Sequence, residues 1–79
     1  MKKSKAAVPL LVLRRGETGR IAHLAPQRPA DLQKFLVLGL LPGEPVRILL
    51  HQPLHVVQVG HTRVALDREG ARSIYLYPD

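Results

Sequence analysis

The chain of 79 residues contains no cysteine and no tryptophan. Without cysteine it can form neither disulfides nor thiolate metal sites, so a hydrophobic core must stabilise one small domain. No apolar run reaches the roughly 18 residues that a membrane-spanning helix requires. The segment 1–13 is also too short, before Arg14 and Arg15 interrupt it, for a secretory signal. These absences predict a cytoplasmic protein, with peripheral contact at the inner face of the membrane as the most that the sequence allows.

Acidic and aromatic residues are scarce as well. Six acidic residues stand against twelve lysines and arginines, which gives a formal charge of +6, and the only aromatic rings besides histidine are one phenylalanine and two tyrosines. The basic residues are spread along the chain, and so few rings offer little stacking for single-stranded nucleic acid. We therefore expect no specific nucleic acid partner. The lysines at positions 2, 3 and 5 predict a disordered basic tail over residues 1–7, followed by one domain over residues 8–78.

The segment 31–39 predicts a short helix with a defined end. Leu32, Phe35 and Leu36 are spaced by three and four residues, as on one face of an amphipathic helix. Gly39 follows, and glycine readily adopts the left-handed conformation that ends many helices. The helix is therefore expected to open at residues 30–31 and to stop at Gly39.

A turn and a hairpin are predicted immediately after this helix. Pro42 and Gly43 suit the two central positions of a type II turn. Alternating apolar residues then predict strands over 45–50 and 55–60, joined by a four-residue loop. This register pairs Leu50 with His55, Ile48 with Val57, and Val46 with Val59. It leaves four residues pointing outward, namely Arg47, Leu49, Val56 and Gln58.

The remaining segments predict further short strands. These strands cover residues 10–14, 20–24, 62–66 and 73–77, and a single helical turn capped by Asp67 lies between the last two. Five or six strands with one short helix inserted between the second and third predict a mainly β fold. We expect a small SH3-like, partly open β-barrel.

The pattern of leucines and glycines resembles the ferrous iron transport protein A (FeoA) family over nearly the whole chain. Its most specific part is the block LGLLPG at residues 38–43, which joins the helix to the turn. The other matching residues are Leu10, Leu13, Gly16, Gly19, Ile21, Leu32, Val46, Val64, Ala65, Leu66, Ala71 and Ile74.

The resemblance implies an SH3-like barrel and a role as a cytoplasmic accessory protein that acts with a membrane ferrous iron permease of the FeoB type. The resemblance does not decide whether the chain forms a homodimer. Two other functions also stay open: a nucleic-acid-binding SH3-like barrel, and a standalone metal-sensing domain resembling the C-terminal domain of DtxR-type repressors.

No catalytic arrangement is visible, because serines and carboxylates fall at predicted turns, helix starts and the C-terminus. We therefore predict that the protein is not an enzyme. His51 and His55 flank the hairpin tip and are weak metal candidates, while His61 lies at the far end of the same strand. No cofactor is firmly predicted, and weak transition-metal binding is the most expected. His23 lies two residues after Ile21 in the predicted strand, and hence on the same face, so we expect it to be partly buried and hydrogen-bonded.

The predicted register opposes Leu49 and Val56 directly on the outer side of the hairpin. Arg47 and Gln58 would give this apolar pair a polar rim, as interaction surfaces often have. These four residues are the predicted partner-binding surface.

Overall fold

The computed structural model describes residues 6–79, which form a six-stranded antiparallel sheet with the strand order β1-β6-β2-β3-β4-β5. The strands are β1 (Val8–Pro9), β2 (Thr18–Leu24), β3 (Pro45–Leu50), β4 (His55–Val59), β5 (Thr62–Leu66) and β6 (Ile74–Pro78). Helix α1 (Pro29–Val37) lies between β2 and β3, and the short helix α2 (Arg68–Ser73) lies between β5 and β6. The predicted mainly β architecture with a helix between the second and third strands is confirmed.

The first predicted strand, over residues 10–14, is wrong. Residues Leu10–Val12 form a 3₁₀ helix instead, and the Leu13 N–H donates to the Leu10 carbonyl at 3.0 Å. Residues three apart lie above one another in a 3₁₀ helix, so Leu10 and Leu13 both reach the core. Their spacing of three, rather than an alternation of two, was the available signal for this turn. The first strand is the preceding pair of residues, which pairs with β6.

Helix α1 ends in a Schellman motif. The Leu40 N–H donates to the Phe35 carbonyl at 2.9 Å, and the Gly39 N–H donates to the Leu36 carbonyl at 3.1 Å. Gly39 has φ of +85°, which is the left-handed conformation expected of it. Phe35 and Leu40 are both buried, as the hydrophobic contact of this motif requires. The predicted stop of the helix is therefore confirmed.

The turn after the helix is also confirmed, and it joins the helix to the sheet. The Glu44 N–H donates to the Leu41 carbonyl at 3.0 Å across Pro42 and Gly43, with φ of +91° at Gly43. This positive φ at the third position is that of a type II turn. The Gly43 N–H also donates to the Ile21 carbonyl at 2.7 Å. The end of α1 is thus anchored directly to β2.

The predicted cap of the second helix is confirmed as well. The Asp67 carboxylate accepts a hydrogen bond of 2.7 Å from the Gly70 N–H at the start of α2. The Arg28 guanidinium bridges this cap to the first helix, because it donates to Asp31 at 2.6 Å and to Asp67 at 3.2 Å. One arginine therefore connects the N-terminal ends of α1 and α2.

A single hydrophobic core lies between the sheet and the helices. Phe35 is the one fully buried residue of α1. The other core side chains come from the strands, α2 and the segments beside them: Leu10, Leu13, Ile21, Leu40, Val46, Ile48, Val57, Val59, Val64, Leu66, Ala71, Ile74 and Leu76. Helix α1 is therefore attached to the sheet mainly through one aromatic side chain and its two ends.

The predicted disordered tail falls largely on residues 1–5, which lie outside the described residues. Its structure stays a prediction. Within residues 6–79, no helix is both long enough and apolar enough to cross a lipid bilayer.

Candidate functional site

The β3–β4 hairpin carries the partner-binding surface predicted from the sequence. Two of the predicted cross-strand pairs, Val46 with Val59 and Ile48 with Val57, are confirmed. All four side chains are buried, so the face expected to point inward does so. The register therefore agrees with the prediction from the base of the hairpin as far as Ile48.

A β-bulge changes the register at the tip of the hairpin. The pairing shifts between Ile48 and Leu50, and Leu50 pairs with Val56 instead of His55. The predicted Leu50–His55 pair is therefore wrong, and Leu49 does not face Val56 alone, because the bulge sets Leu49 and Leu50 together against Val56. A bulge places two residues of one strand against one residue of the neighbouring strand. The predicted register paired the residues one to one and had no place for this extra residue of β3. Leu49 and Val56 are only half-buried.

A row of polar side chains crosses the outer side of the hairpin. Arg47 pairs with Gln58, which pairs in turn with Arg63 of β5, so that one row crosses three strands. Both arginines are exposed, and the Gln58 amide donates to the Gly60 carbonyl at 3.1 Å. This row is suited to contact with acidic groups.

Helix α1 and the turn after it expose a group of apolar side chains. We call it the helix face, and it consists of four exposed residues on α1 and the turn that follows: Leu32, Leu36, Val37 and Leu41. Val37 is 79% exposed, and Leu36 is 47% exposed. A groove of about 450 Å³ beside it is lined by Ala30, Gln33, Lys34, Val37 and Leu38.

Sequence reasoning missed the helix face because it interpreted Leu32 and Leu36 as core positions. Only Phe35 of the helix is buried. The signal was nevertheless present in the sequence, since residues 35–38 are four consecutive apolar residues. Successive residues of a helix are 100° apart, so they cannot all face one side.

A second candidate site is a cleft at the hairpin tip, which we call the histidine cleft. It has a volume of about 510 Å³ and is lined by Leu11, His51, Gln52, Pro53, His55 and Arg68. The imidazole rings of His51 and His55 meet edge to face, with their centroids 5.3 Å apart. His55 is only 8% exposed. Burial, followed by the nearby charges of His51 and Arg68, lowers the pKa of the His55 imidazole.

The other two histidines lie elsewhere. His23 is exposed and stacks on the ring of Tyr75, with centroids 4.6 Å apart, so the predicted partial burial is wrong. The β2–β6 pairing shifts between Ile21 and His23, and this irregularity breaks the parity on which the prediction rested. His61 is exposed in the turn between β4 and β5. Within residues 6–79, no group of three or more histidine, cysteine, aspartate or glutamate residues could hold a metal ion.

A family model described as the FeoA domain matches residues 8–78. The chain belongs to the FeoA family. Membership of this family implies a role in ferrous iron transport. No curated protein matches the chain significantly.

Solved FeoA structures share the fold. An iron uptake regulatory protein (FeoA) aligns with a TM-score of 0.82 and 23% identity, over 94% of this chain and 99% of that chain. The FeoA of Stenotrophomonas maltophilia, solved with zinc and described as a prokaryotic SH3 domain protein, aligns with a TM-score of 0.78 and 27% identity over 89% of each chain. The predicted SH3-like fold is therefore confirmed.

The same fold occurs within longer chains, among them a manganese-dependent transcriptional repressor. T. acidophilum IdeR aligns with a TM-score of 0.87 and 22% identity, over 100% of this chain but only 37% of that chain. At this identity the likeness concerns the fold alone. FeoA proteins, in contrast, align over most of their own length.

Proposed function

We propose that this chain is a cytoplasmic, non-enzymatic accessory module of ferrous iron uptake that docks onto the cytoplasmic part of a FeoB-type permease. Membership of the FeoA family supports the link to ferrous iron transport. The observation that carries the docking role is the helix face, where four aliphatic side chains are exposed on one helix and its following turn. Single exposed aliphatic residues are ordinary, whereas a group of them on one short element is typical of an interaction surface.

The helix face is held in place at both ends of α1. Arg28 fixes the start of the helix to Asp31 and Asp67, and the Schellman motif at Gly39 fixes its end. Phe35 anchors its last turn in the core. A surface that is already ordered loses less conformational entropy on binding, so this arrangement supports docking as a rigid body.

The charges around the helix face favour an acidic partner. Lys34 lies on α1 itself, and the Arg20 guanidinium donates to the Gly43 carbonyl at 3.0 Å in the turn beside it. The whole chain carries a formal charge of +6. Complementary charge raises the rate of encounter, while the apolar centre supplies most of the affinity. We therefore expect the permease surface to present an apolar groove with acidic residues around it.

Four of the six acidic side chains among residues 6–79 bind arginine side chains or backbone N–H groups, which supports a non-enzymatic role. Asp31 and Asp67 bind Arg28, and Asp67 also caps α2. Glu17 accepts a hydrogen bond from the Arg14 N–H at 2.6 Å, and Glu69 binds Arg72 at 3.0 Å. Ser73, the one serine among residues 6–79, donates to the Glu69 carbonyl at 2.8 Å. None of these contacts pairs a nucleophile with a base.

The docking surface can be tested by a binding assay between the purified domain and the cytoplasmic part of the permease. We expect Leu36→Asp combined with Val37→Asp to weaken binding at least about tenfold, because two charges would be buried in the contact. Val12→Asp is the matched control, since Val12 is 58% exposed but lies on the 3₁₀ helix. Circular dichroism should show that all variants remain folded. Unchanged binding of the double variant would refute the helix face as the docking surface.

A second arm of the same assay tests the hairpin surface predicted from the sequence. Arg47→Glu and Gln58→Glu alter its polar part, the exposed Arg47 and the half-buried Gln58, without changing Leu49 or Val56. If these variants abolish binding and the helix variants do not, docking occurs through the hairpin. If neither set changes binding, docking occurs through another surface, whereas absence of binding by the unmodified domain refutes docking as a function.

The arginine row of the sheet favours nucleic acid as the second candidate ligand. Arg47 and Arg63 flank Gln58 on one exposed surface. Binding to phosphates would weaken steeply as salt increases, because neutralised phosphates release counterions. Fluorescence anisotropy with labelled DNA and RNA at two salt concentrations distinguishes the two functions. Binding that survives physiological salt and is lost in Arg63→Glu would favour nucleic acid.

A further inference from the structure

The histidine cleft contains two imidazoles whose hydrogen-bonding capacity is not used. The Nδ1 atoms of His51 and His55 are both buried, and neither has a hydrogen-bond partner among residues 6–79. Buried polar atoms in folded proteins nearly always have a partner, so each such atom calls for an explanation. Two of them occur here in adjacent rings, on opposite sides of the hairpin tip.

The placement of the two rings favours a metal ion as their shared partner. Both rings line one cleft, and their centroids lie 5.3 Å apart. A neutral imidazole offers a nitrogen lone pair, and this is the form that binds transition metals. A neutral imidazole also carries one N–H donor, so an oxyanion is the competing ligand that the test has to exclude.

We propose that His51 and His55 form a two-imidazole binding site for a divalent transition metal ion such as Zn²⁺ or Fe²⁺. The separation of 5.3 Å between the ring centroids allows one nitrogen from each ring to reach a common ion. Within residues 6–79 no third histidine, cysteine or carboxylate joins the pair. Water completes the coordination in the isolated domain, so the ion is bound weakly and exchanges readily.

Arg68 makes the proposal specific, because it lines the same cleft and carries a positive charge. This charge opposes a metal cation but would attract an oxyanion. Replacing Arg68 by glutamine should therefore strengthen metal binding, by a few fold, and should weaken the binding of an anion. The direction of this single effect separates the two kinds of ligand.

Isothermal titration of the full chain with Zn²⁺, and absorption spectroscopy with Co²⁺, test the proposal. We expect His51→Gln to weaken binding at least about tenfold. His61→Gln is the matched control, because His61 is exposed at the opposite end of β4, and it should bind like the unmodified chain. His51 is itself only half-buried, so the His51 variant should remain folded, as circular dichroism can verify. Equal losses in the His51 and His61 variants would overturn the site.

Two further measurements do not depend on the stability of a histidine variant. Metal addition should shift the ring nitrogen resonances of His51 and His55 in NMR spectra and leave those of His23 and His61 unchanged. Titration with inorganic phosphate is the second measurement. Phosphate binding that weakens in Arg68→Gln, without any metal effect on the two rings, would overturn the proposal in favour of an anion site.

Discussion

Replacing Gly39 by alanine should destabilise the domain through the backbone alone. Gly39 has φ of +85°, and a Cβ added there would meet no atom within 4 Å. The cost is therefore the strain of a left-handed residue, about 1–2 kcal/mol, without any steric clash. Domains of this kind are stable by roughly 5 kcal/mol or little more. The substitution thus removes a considerable part of the total stability.

This cost can be converted to a melting temperature. For domains of about 60–100 residues, 1 kcal/mol corresponds to about 4–8 °C, so Gly39→Ala should lower Tm by about 4–16 °C. Gly39→Asn should lower it less, because asparagine adopts the left-handed conformation more readily. Gln33→Ala is the control, since it places alanine at an exposed position within α1 where the backbone is helical. Thermal unfolding followed by circular dichroism gives all three values.

The result that would refute this reasoning is equally specific. An unchanged Tm in Gly39→Ala would mean that the chain avoids the left-handed conformation at no cost, and hence that the Schellman motif does not determine the end of the helix. A larger loss in Gly39→Asn than in Gly39→Ala would exclude backbone strain as the cause. Either result would also undermine the fixed position of the helix face.

Three further predictions concern the anchors of the two helices. Phe35→Ala should cost about 3–5 kcal/mol, comparable with the whole stability, and the urea midpoint should fall far more than in Phe35→Leu. The hydrogen bond from the Gly70 N–H and, second, the one from Arg28 lower the pKa of the Asp67 carboxyl. The Asp67 carboxylate therefore stabilises the fold above about pH 4, the pKa of an unfolded aspartate. This stabilisation is lost as the pH falls through the lower pKa of the folded state. In Asp67→Asn the free energy of unfolding should therefore fall less steeply as the pH is lowered below about 4. The same pH dependence as in the unmodified chain would contradict this. Arg28→Met should lower Tm at pH 7 by a few degrees but have little effect in 1 M salt, where exposed ion pairs are screened.

The structural features that depend only on residues close together in the chain could be predicted from the sequence. Gly39, Pro42 and Gly43 define a helix end and a turn because their backbone preferences act within a few residues. Asp67 caps the second helix for the same reason, since its partner is the N–H three residues later. The resemblance to the FeoA family also rests on this block, and the family match confirms it.

The features that depend on packing could not be predicted in the same way. The bulges at Leu50 and His23 arise from how the strands fit their neighbours, and they displaced two sequence-based predictions of side-chain position. Register errors of this kind move side chains from one face to the other. The location of the candidate hairpin surface therefore needed the structure.

The amino-acid sequence by itself determined the class of fold, the end of the first helix, the turn after it and the cap of the second helix, because each follows from local backbone and hydrogen-bonding preferences. Only the tertiary structure decided that α1 keeps Phe35 in the core and leaves Leu36 and Val37 exposed. It also decided that His55 is buried against His51. Exposure and burial depend on which distant segments pack together, and spacing along the chain does not specify those contacts.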